Sequence, residues 1–190
     1  MTKQIILINI ENFNHIETKQ ICDILKDVLK QNITVVLREK NLFNNAIHKF
    51  YGNKKMDKHT EMLISVAETY QFYCDEIIPI VEKAKHDTSS KFHVIVTEKY
   101  FDSIYLDYLD IKFIRENKQA LYGFQKIEPS LTLIKKDQST DIHLNKRISD
   151  LFMMKPQRCK ILEKIDRREI VEHFLYRLKA IMNNNDKKPS

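Results

Sequence analysis

Five short apolar runs punctuate the chain, and a longer stretch of helical pattern follows each of them. The runs are "IILINI" (5–10), "ITVVL" (33–37), "KFHVIVTE" (91–98), "SLTLIKK" (130–136) and "CKILEKI" (159–165). They are rich in β-branched residues and of strand length, too short for helices. Residues 16–31 repeat Ile21, Leu25 and Val28 at helical spacing, with Ile24 and Leu29 widening the stripe. A long helical pattern spans 57–86, with Met62, Val66, Tyr70 and Tyr73 on one face and Pro79 as the expected break. Shorter helices are expected over 44–52, ended by Gly52, and over 141–152. The segment 100–124 is mostly helical in pattern, and a last helix covers 167–182 with Ile170, Phe174, Leu178 and Ile181 in a stripe. Strands that alternate with helices and are apolar throughout predict a parallel sheet buried on both faces. The fold class read here is α/β, a five-stranded parallel sheet with helices on both faces. The 190 residues suffice for one core. A single domain is expected over 1–182, followed by a disordered polar tail, "NNNDKKPS" (183–190). "HDTSS" (86–90) is the most polar interior break, and neither a repeat nor a linker divides the chain.

Composition excludes several chemistries. The only two glycines, Gly52 and Gly123, lie far apart. Phosphate loops need closely spaced glycines so that bare backbone N–H groups can approach the anion, and no window here supplies them. Three scattered cysteines, Cys22, Cys74 and Cys159, fit buried thiols in a reducing compartment better than disulfides or a zinc site. The seven histidines show no H-x-x-x-H spacing, so no metal site is expected, and no G-x-S-x-G occurs. Asp137, Asp141 and Asp150 read as ordinary loop and helix-end acids. The net charge of +6 permits contact with nucleic acid or an acidic partner, but acids and bases are interleaved rather than clustered. No apolar run reaches the roughly 18 residues of a membrane span, and the N-terminus lacks the marks of a secretory or transit peptide. An intracellular, reducing location follows, the cytoplasm by default, with an organelle such as the mitochondrion also compatible.

Taken in order, five segments carry a resemblance. They are "IILINIEN" (5–12), "VVLREK" (35–40), "EMLISVAETYQF" (61–72), "VIVTEKYFDSIYLDY" (94–108) and "IEPSLTLIKKDQSTDIHLNKRI" (127–148). Together they resemble thymidylate kinase, a P-loop nucleoside monophosphate kinase, over about residues 5 to 182. The resemblance implies a P-loop NTPase architecture, ATP and Mg²⁺ as reactants, and dTMP as acceptor. Glu11 is similar to the glutamate opening the family's E-G-x-D-x-x-G-K-[ST]-T loop. Arg38 is similar to the arginine near the acceptor phosphate. "EKYFDS" is similar to the D-R-Y-x-x-S motif.

The departures from that family are concentrated where the chemistry would lie. Aligned on Glu11, the family's first glycine falls on Asn12, its aspartate on Asn14, and its second glycine and lysine near Glu17 and Thr18. Glu17 would oppose a polyanion; at ~4 Å and an effective dielectric of about 20, such a charge pair costs on the order of 4 kcal/mol. Lys19 is the one lysine nearby, either a displaced substitute or a surface residue. The family's acceptor arginine falls on Glu68, a reversal of charge, and its stacking phenylalanine on Ile64, with Phe72 two turns on. The aspartate and arginine of D-R-Y fall on Glu98 and Lys99; lysine is the poorer bidentate clamp. Arg38, Tyr100 and Ser103 match outright, yet also suit a surface charge, a core edge and a helix cap. "SDLFMMKPQR" (149–158) is too short for the family's lid and its extra helix, so Arg158 is assigned no lid role.

The residues thus point to a catalytically inactive thymidylate-kinase-like protein without cofactor, a structural or interaction subunit of a larger assembly with protein partners. A homodimer is compatible. The aromatic-rich segment 100–124 (Tyr100, Phe101, Tyr105, Tyr108, Phe113, Tyr122, Phe124) is the candidate contact surface, with core packing as its alternative. Two other readings stay open: a divergent active dTMP kinase using ATP and Mg²⁺, and a nucleotide- or nucleic-acid-binding module without catalysis. In that last case Arg38, Glu68, Glu98, Lys99, Tyr100 and Ser103 would line a residual monophosphate pocket.

Overall fold

In a computed structural model, which describes residues 4–30, 33–37, 49, 56–87, 92–108, 128–136 and 142–185, the chain forms one sheet between two helical layers. The elements are β1 (Gln4–Glu11), α1 (His15–Leu29), β2 (Ile33–Val36), α2 (Lys58–Phe72), a π-helical turn (Tyr73–Ile77), α3 (Ile78–His86), β3 (Phe92–Glu98), α4 (Phe101–Tyr108), β4 (Leu131–Lys135), α5 (Ile142–Met154), β5 (Cys159–Leu162) and α6 (Arg167–Asn185). The five strands lie in the order β2-β3-β1-β4-β5, and every neighbouring pair is parallel.

Strand alternation assigns the two cores. Ile6, Ile8 and Ile10 of β1, with Val94 and Val96 of β3 and Leu131 and Leu133 of β4, pack against Ile21, Leu25 and Leu29 of α1 and Ile170 and Phe174 of α6. Leu7, Ile95 and Ile134 point the other way, into Met62, Val66, Tyr73, Ile77 and Val81 and the inner faces of α4 and α5. Apolar residues on both faces of the central strands are what a doubly covered parallel sheet requires. On α1 the buried stripe is Ile21, Cys22, Leu25 and Leu29; Cys22 joins it, while Ile24 and Val28 are half-buried.

Several expectations are revised. The pattern over 57–86 is not broken at Pro79; the helical path continues, and its irregularity is the π turn just before the proline. There the Ile78 N–H reaches back five residues to the Tyr73 carbonyl. A wider turn absorbs the missing N–H and ring clash that proline imposes on an α-helix. The last helix runs three residues past its expected end at 182, to Asn185, so 183–185 belong to it and not to the polar tail. The candidate contact surface is corrected for three of its members. Tyr100, Phe101 and Tyr105 are buried in the core, because the inner face of α4 packs on the sheet. Phe113, Tyr122 and Phe124, the helix expected over 44–52, Arg38, Asp137 and Asp141 lie outside the described residues, as does the Tyr108 side chain. All three cysteines are free thiols, with Cys22 and Cys159 buried and Cys74 half-buried. Among the described residues no helix is long and apolar enough to cross a membrane.

Candidate functional site

The chain leaves β1 toward one face of the sheet, into α1, and leaves β3 and β4 toward the other, into α4 and α5. In an open parallel sheet, that divergence opens a crevice beyond the carboxyl ends of the strands, the usual place for a ligand. Here the crevice lies at the end of β1.

Three residues, Asn12 to Asn14, join β1 to α1. Asn12 has φ +63°, in the left-handed region. Glycine is the default residue there, and asparagine is among the few others that tolerate it. Asn12 Nδ2 donates to the Lys135 carbonyl at 3.0 Å, which ties the turn to the end of β4.

The first turn of α1 is capped by its own side chains. The Glu17 N–H donates to Asn14 Oδ1, and the Asn14 N–H donates to Glu17 Oε2, both at 3.0 Å. The Thr18 N–H donates to the Asn14 carbonyl at 2.9 Å. This is a capping box, in which two orphan donors of a helix start are satisfied reciprocally. Glu17 Oε1 also accepts from Lys135 Nζ at 2.6 Å, with the two side chains 22% and 27% exposed. That bond from Lys135 holds the Glu17 carboxyl below its usual range, against a partial burial that would raise it. Thr18 is buried and its hydroxyl has no hydrogen-bond partner among the described residues. Lys19 is exposed on α1.

Beneath this turn, Asn9 joins β1 to the start of α4. It is buried, donates through Nδ2 to Glu11 Oε1 at 2.8 Å, and accepts the Tyr100 N–H at Oδ1 at 3.3 Å. Glu11 is also buried. Desolvation raises its pKa well above the usual value; the Asn9 bond opposes that rise, and the charges of Asp102 and Asp107 add to it. Such a group can hold a proton that an ordinary glutamate has lost.

Of the residues matched to D-R-Y-x-x-S, Glu98 is half-buried. Lys99 is exposed, with φ +49°, and donates its N–H to the Ile10 carbonyl at 3.3 Å. Tyr100 is fully buried, edge-on to Phe101 with ring centroids 4.9 Å apart, and burial raises its phenol pKa. Ser103 donates both its N–H and its hydroxyl to the Tyr100 carbonyl. Tyr100 is thus a core side chain, whereas Ser103, expected as a helix cap, lies within the first turn of α4 and back-bonds to the carbonyl three residues earlier. Glu68 is buried on α2. Among the named candidates, the structure gathers Glu11, Asn12, Asn14, Glu17, Lys99 and Tyr100 around the end of β1.

Sequence reasoning missed the strongest polar cluster. Asp102, on α4, receives two 2.6 Å bonds from Arg158, one from each terminal guanidinium nitrogen, and a third at 2.6 Å from Thr132 Oγ1. Arg158 Nη1 also donates to Thr132 Oγ1 at 2.8 Å. The ion pair is 0% and 7% exposed. Burial alone would raise the Asp102 pKa; the bonds from Arg158 and Thr132 outweigh it and hold the carboxyl below its usual value. Arg158 therefore has a structural partner. No short motif announces a pair separated by 56 residues. The capping box was also missed, although "NHIE" (14–17) carries its local signal.

Only Lys155–Arg158 separate α5 from β5, so no lid is inserted there. Among the described residues no cluster of His, Cys, Asp and Glu could hold a metal ion.

No protein-family model and no curated protein matches the chain. A solved structure does: the thymidylate kinase of Ehrlichia chaffeensis, 16% identical, superposes with a TM-score of 0.62 over 94% of this chain and 99% of that one. The five-stranded all-parallel sheet with flanking helices matches that structure, and the chain carries a thymidylate-kinase-like fold.

Proposed function

We propose that this chain keeps the fold of a thymidylate kinase as a scaffold, without its phosphoryl transfer, and serves as an interaction subunit of a larger assembly. One observation carries the reading: the first turn of α1, where that fold would seat a phosphate, is occupied by the chain itself. Anion binding at a helix start needs open N–H donors and a favourable field. Here the Glu17 and Thr18 N–H groups are engaged by Asn14, and the carboxylate of Glu17 sits at the positive end of the helix. The Lys135 ammonium beside it is spent on Glu17. A three-residue turn also has no length to wrap a phosphate. Asn12, Asn14, Glu17 and Thr18 together make a phosphate loop closed to its ligand.

Phosphoryl transfer is mostly positioning and charge stabilisation, so a seat with its N–H groups capped and its lysine already paired removes the basis for rate enhancement. The test is thermal unfolding of the purified chain with ATP·Mg²⁺ and with dTMP, alongside a coupled assay for ADP. A ligand at 100 times its Kd adds about 2.7 kcal/mol of stability. No shift and no turnover are expected. An ATP shift with turnover would overturn the reading in favour of a divergent kinase, and a dTMP shift alone would favour a binding module. The subunit role is tested by size exclusion of native extract: elution at the 22.7 kDa of the free chain would remove it.

A further inference from the structure

The crevice lies where the strands end. A different cluster lies where β4 and β5 begin. Ser130 immediately precedes β4 and Cys159 opens β5, while α6 returns along the outside. From α6, Arg177 Nε donates to the Ser130 carbonyl at 3.1 Å, and no carboxylate pairs with Arg177 among the described residues. His173 lies one turn earlier on the same face of α6. Its Nε2 is buried and has no hydrogen-bond partner among the described residues. Lys160, on β5, reaches the same helix and bonds Glu169 Oε1 at 2.6 Å. Tyr176 is 67% exposed, with its ring stacked on His173 at 6.4 Å and 27°.

Charge is unbalanced here. Glu169 is the one acid among the groups that act on His173, and it already answers Lys160. Arg158, the other cation near Arg177, is committed to Asp102. Burial lowers the His173 pKa, and the positive charges of Lys160 and Arg177 lower it further. Burial lowers that of Arg177 too, with Arg158 adding to the fall and the neighbouring Tyr176 and Cys159 opposing it. Arg177, a cation with no acid partner among the described residues, and an imidazole with an unmatched buried nitrogen together favour an anion.

We propose that Arg177, His173 and Lys160 form an oxyanion site for a phosphate group, carried as a monoester or diester. The terminal nitrogens of Arg177 offer the planar fork that suits phosphate. The bound anion offsets the cationic field at His173 and so favours its imidazolium. Lys160 supplies charge. The exposed ring of Tyr176 beside the site provides a surface on which a base can stack when the phosphate belongs to a nucleotide. The site is remote from the end of β1 and stands whether or not the α1 seat is closed.

The test follows the imidazole signals of the full chain by NMR during titration with inorganic phosphate at constant ionic strength in chloride. His15, at the start of α1, reports the crevice in the same spectra. Expected are a saturable shift at His173 and a rise in its pKa, since the bound anion offsets the cationic field, with His15 unmoved. Arg177→Gln should weaken binding about tenfold or more, the scale of a charge-assisted fork. Arg177→Lys should retain part of it, and each variant's thermal melt shows whether it is folded. No saturable His173 shift, or one that persists unchanged in R177Q, overturns the proposal. A single-stranded oligonucleotide that displaces phosphate, with salt-sensitive affinity, assigns the site to a nucleic-acid backbone. Phosphate binding without such displacement assigns it to a free phosphate or small ester.

Discussion

Asp102→Asn is the substitution that most directly tests the physical reading of the core. It keeps the shape of the side chain and removes the charge. In the folded chain it leaves Arg158 in place, 7% exposed, facing a neutral amide across two contacts that were 2.6 Å charge-assisted bonds. Thr132 Oγ1 loses its anionic acceptor in the same step. Removing one partner of a buried ion pair costs about 3–5 kcal/mol, because the other charge stays buried and uncompensated. In a domain of this size each kcal/mol moves Tm by roughly 2–4 °C, so the expected fall is about 6–20 °C. Thermal and urea unfolding measure it. Asp102→Leu combined with Arg158→Met, which removes both charges, should be less damaging than D102N alone. The exposed pair Arg168–Glu172 is the internal control, and its removal should not change the melt measurably. The pH dependence has a definite sign. The folded Asp102 pKa lies below the unfolded one, so its stabilisation is complete above the unfolded value of about 3.9 and is lost as pH falls through the folded value. The gap between wild type and D102N should therefore be flat at neutral pH and close only in acid. A D102N protein that melts with wild type, or a double variant worse than the single, would refute the reasoning.

Glu11→Gln should act in the opposite sense. The folded pKa of Glu11 is raised, so its contribution is complete below the unfolded value of about 4.3 and is lost as pH rises. E11Q should equal or exceed wild type in stability at neutral pH and lose that advantage in acid, as read by melts across pH. Asn12→Gly should be tolerated at φ +63°, whereas Asn12→Ala should cost about 1–2 kcal/mol; urea midpoints separate them. Asn14→Ala removes the cap of α1 and should cost about 1 kcal/mol by the same measurement. Phe174→Ala, in the core under α6, should cost about 3–5 kcal/mol by urea unfolding.

The fold was legible because its signal is long and repeated. Five apolar runs, each followed by helical periodicity, admit few arrangements, and the parallel sheet covered on both faces is among them. Element ends were less legible: α1 begins at His15 because Asn14 and Glu17 cap it, whereas an apolar stripe shows only where a helix is buried. The π turn left no trace beyond a proline. Tyr100, Phe101 and Tyr105 looked like a contact surface because aromatic content does not reveal which way a helix faces; their burial is set by α2, α5 and β1, all distant in sequence. At the crevice, the missing glycines and the misplaced charge of Glu17 were visible, but the Lys135 that neutralises it lies 118 residues away. Asn9 and Asp102 act through partners 91 and 56 residues distant, a kind of information no short motif holds.

The pairings around β4 have a consequence for the integrity of the chain. β4 lies directly against β1, and Arg158 grips Asp102 across the same boundary. The described residues before 109 are therefore stitched to those after 127 by a strand ladder and a buried charge pair as well as by the peptide chain. Were the peptide connection lost, the two parts would still each complete the other's half of the sheet. They should stay together as one split protein, parting only when the sheet itself unfolds.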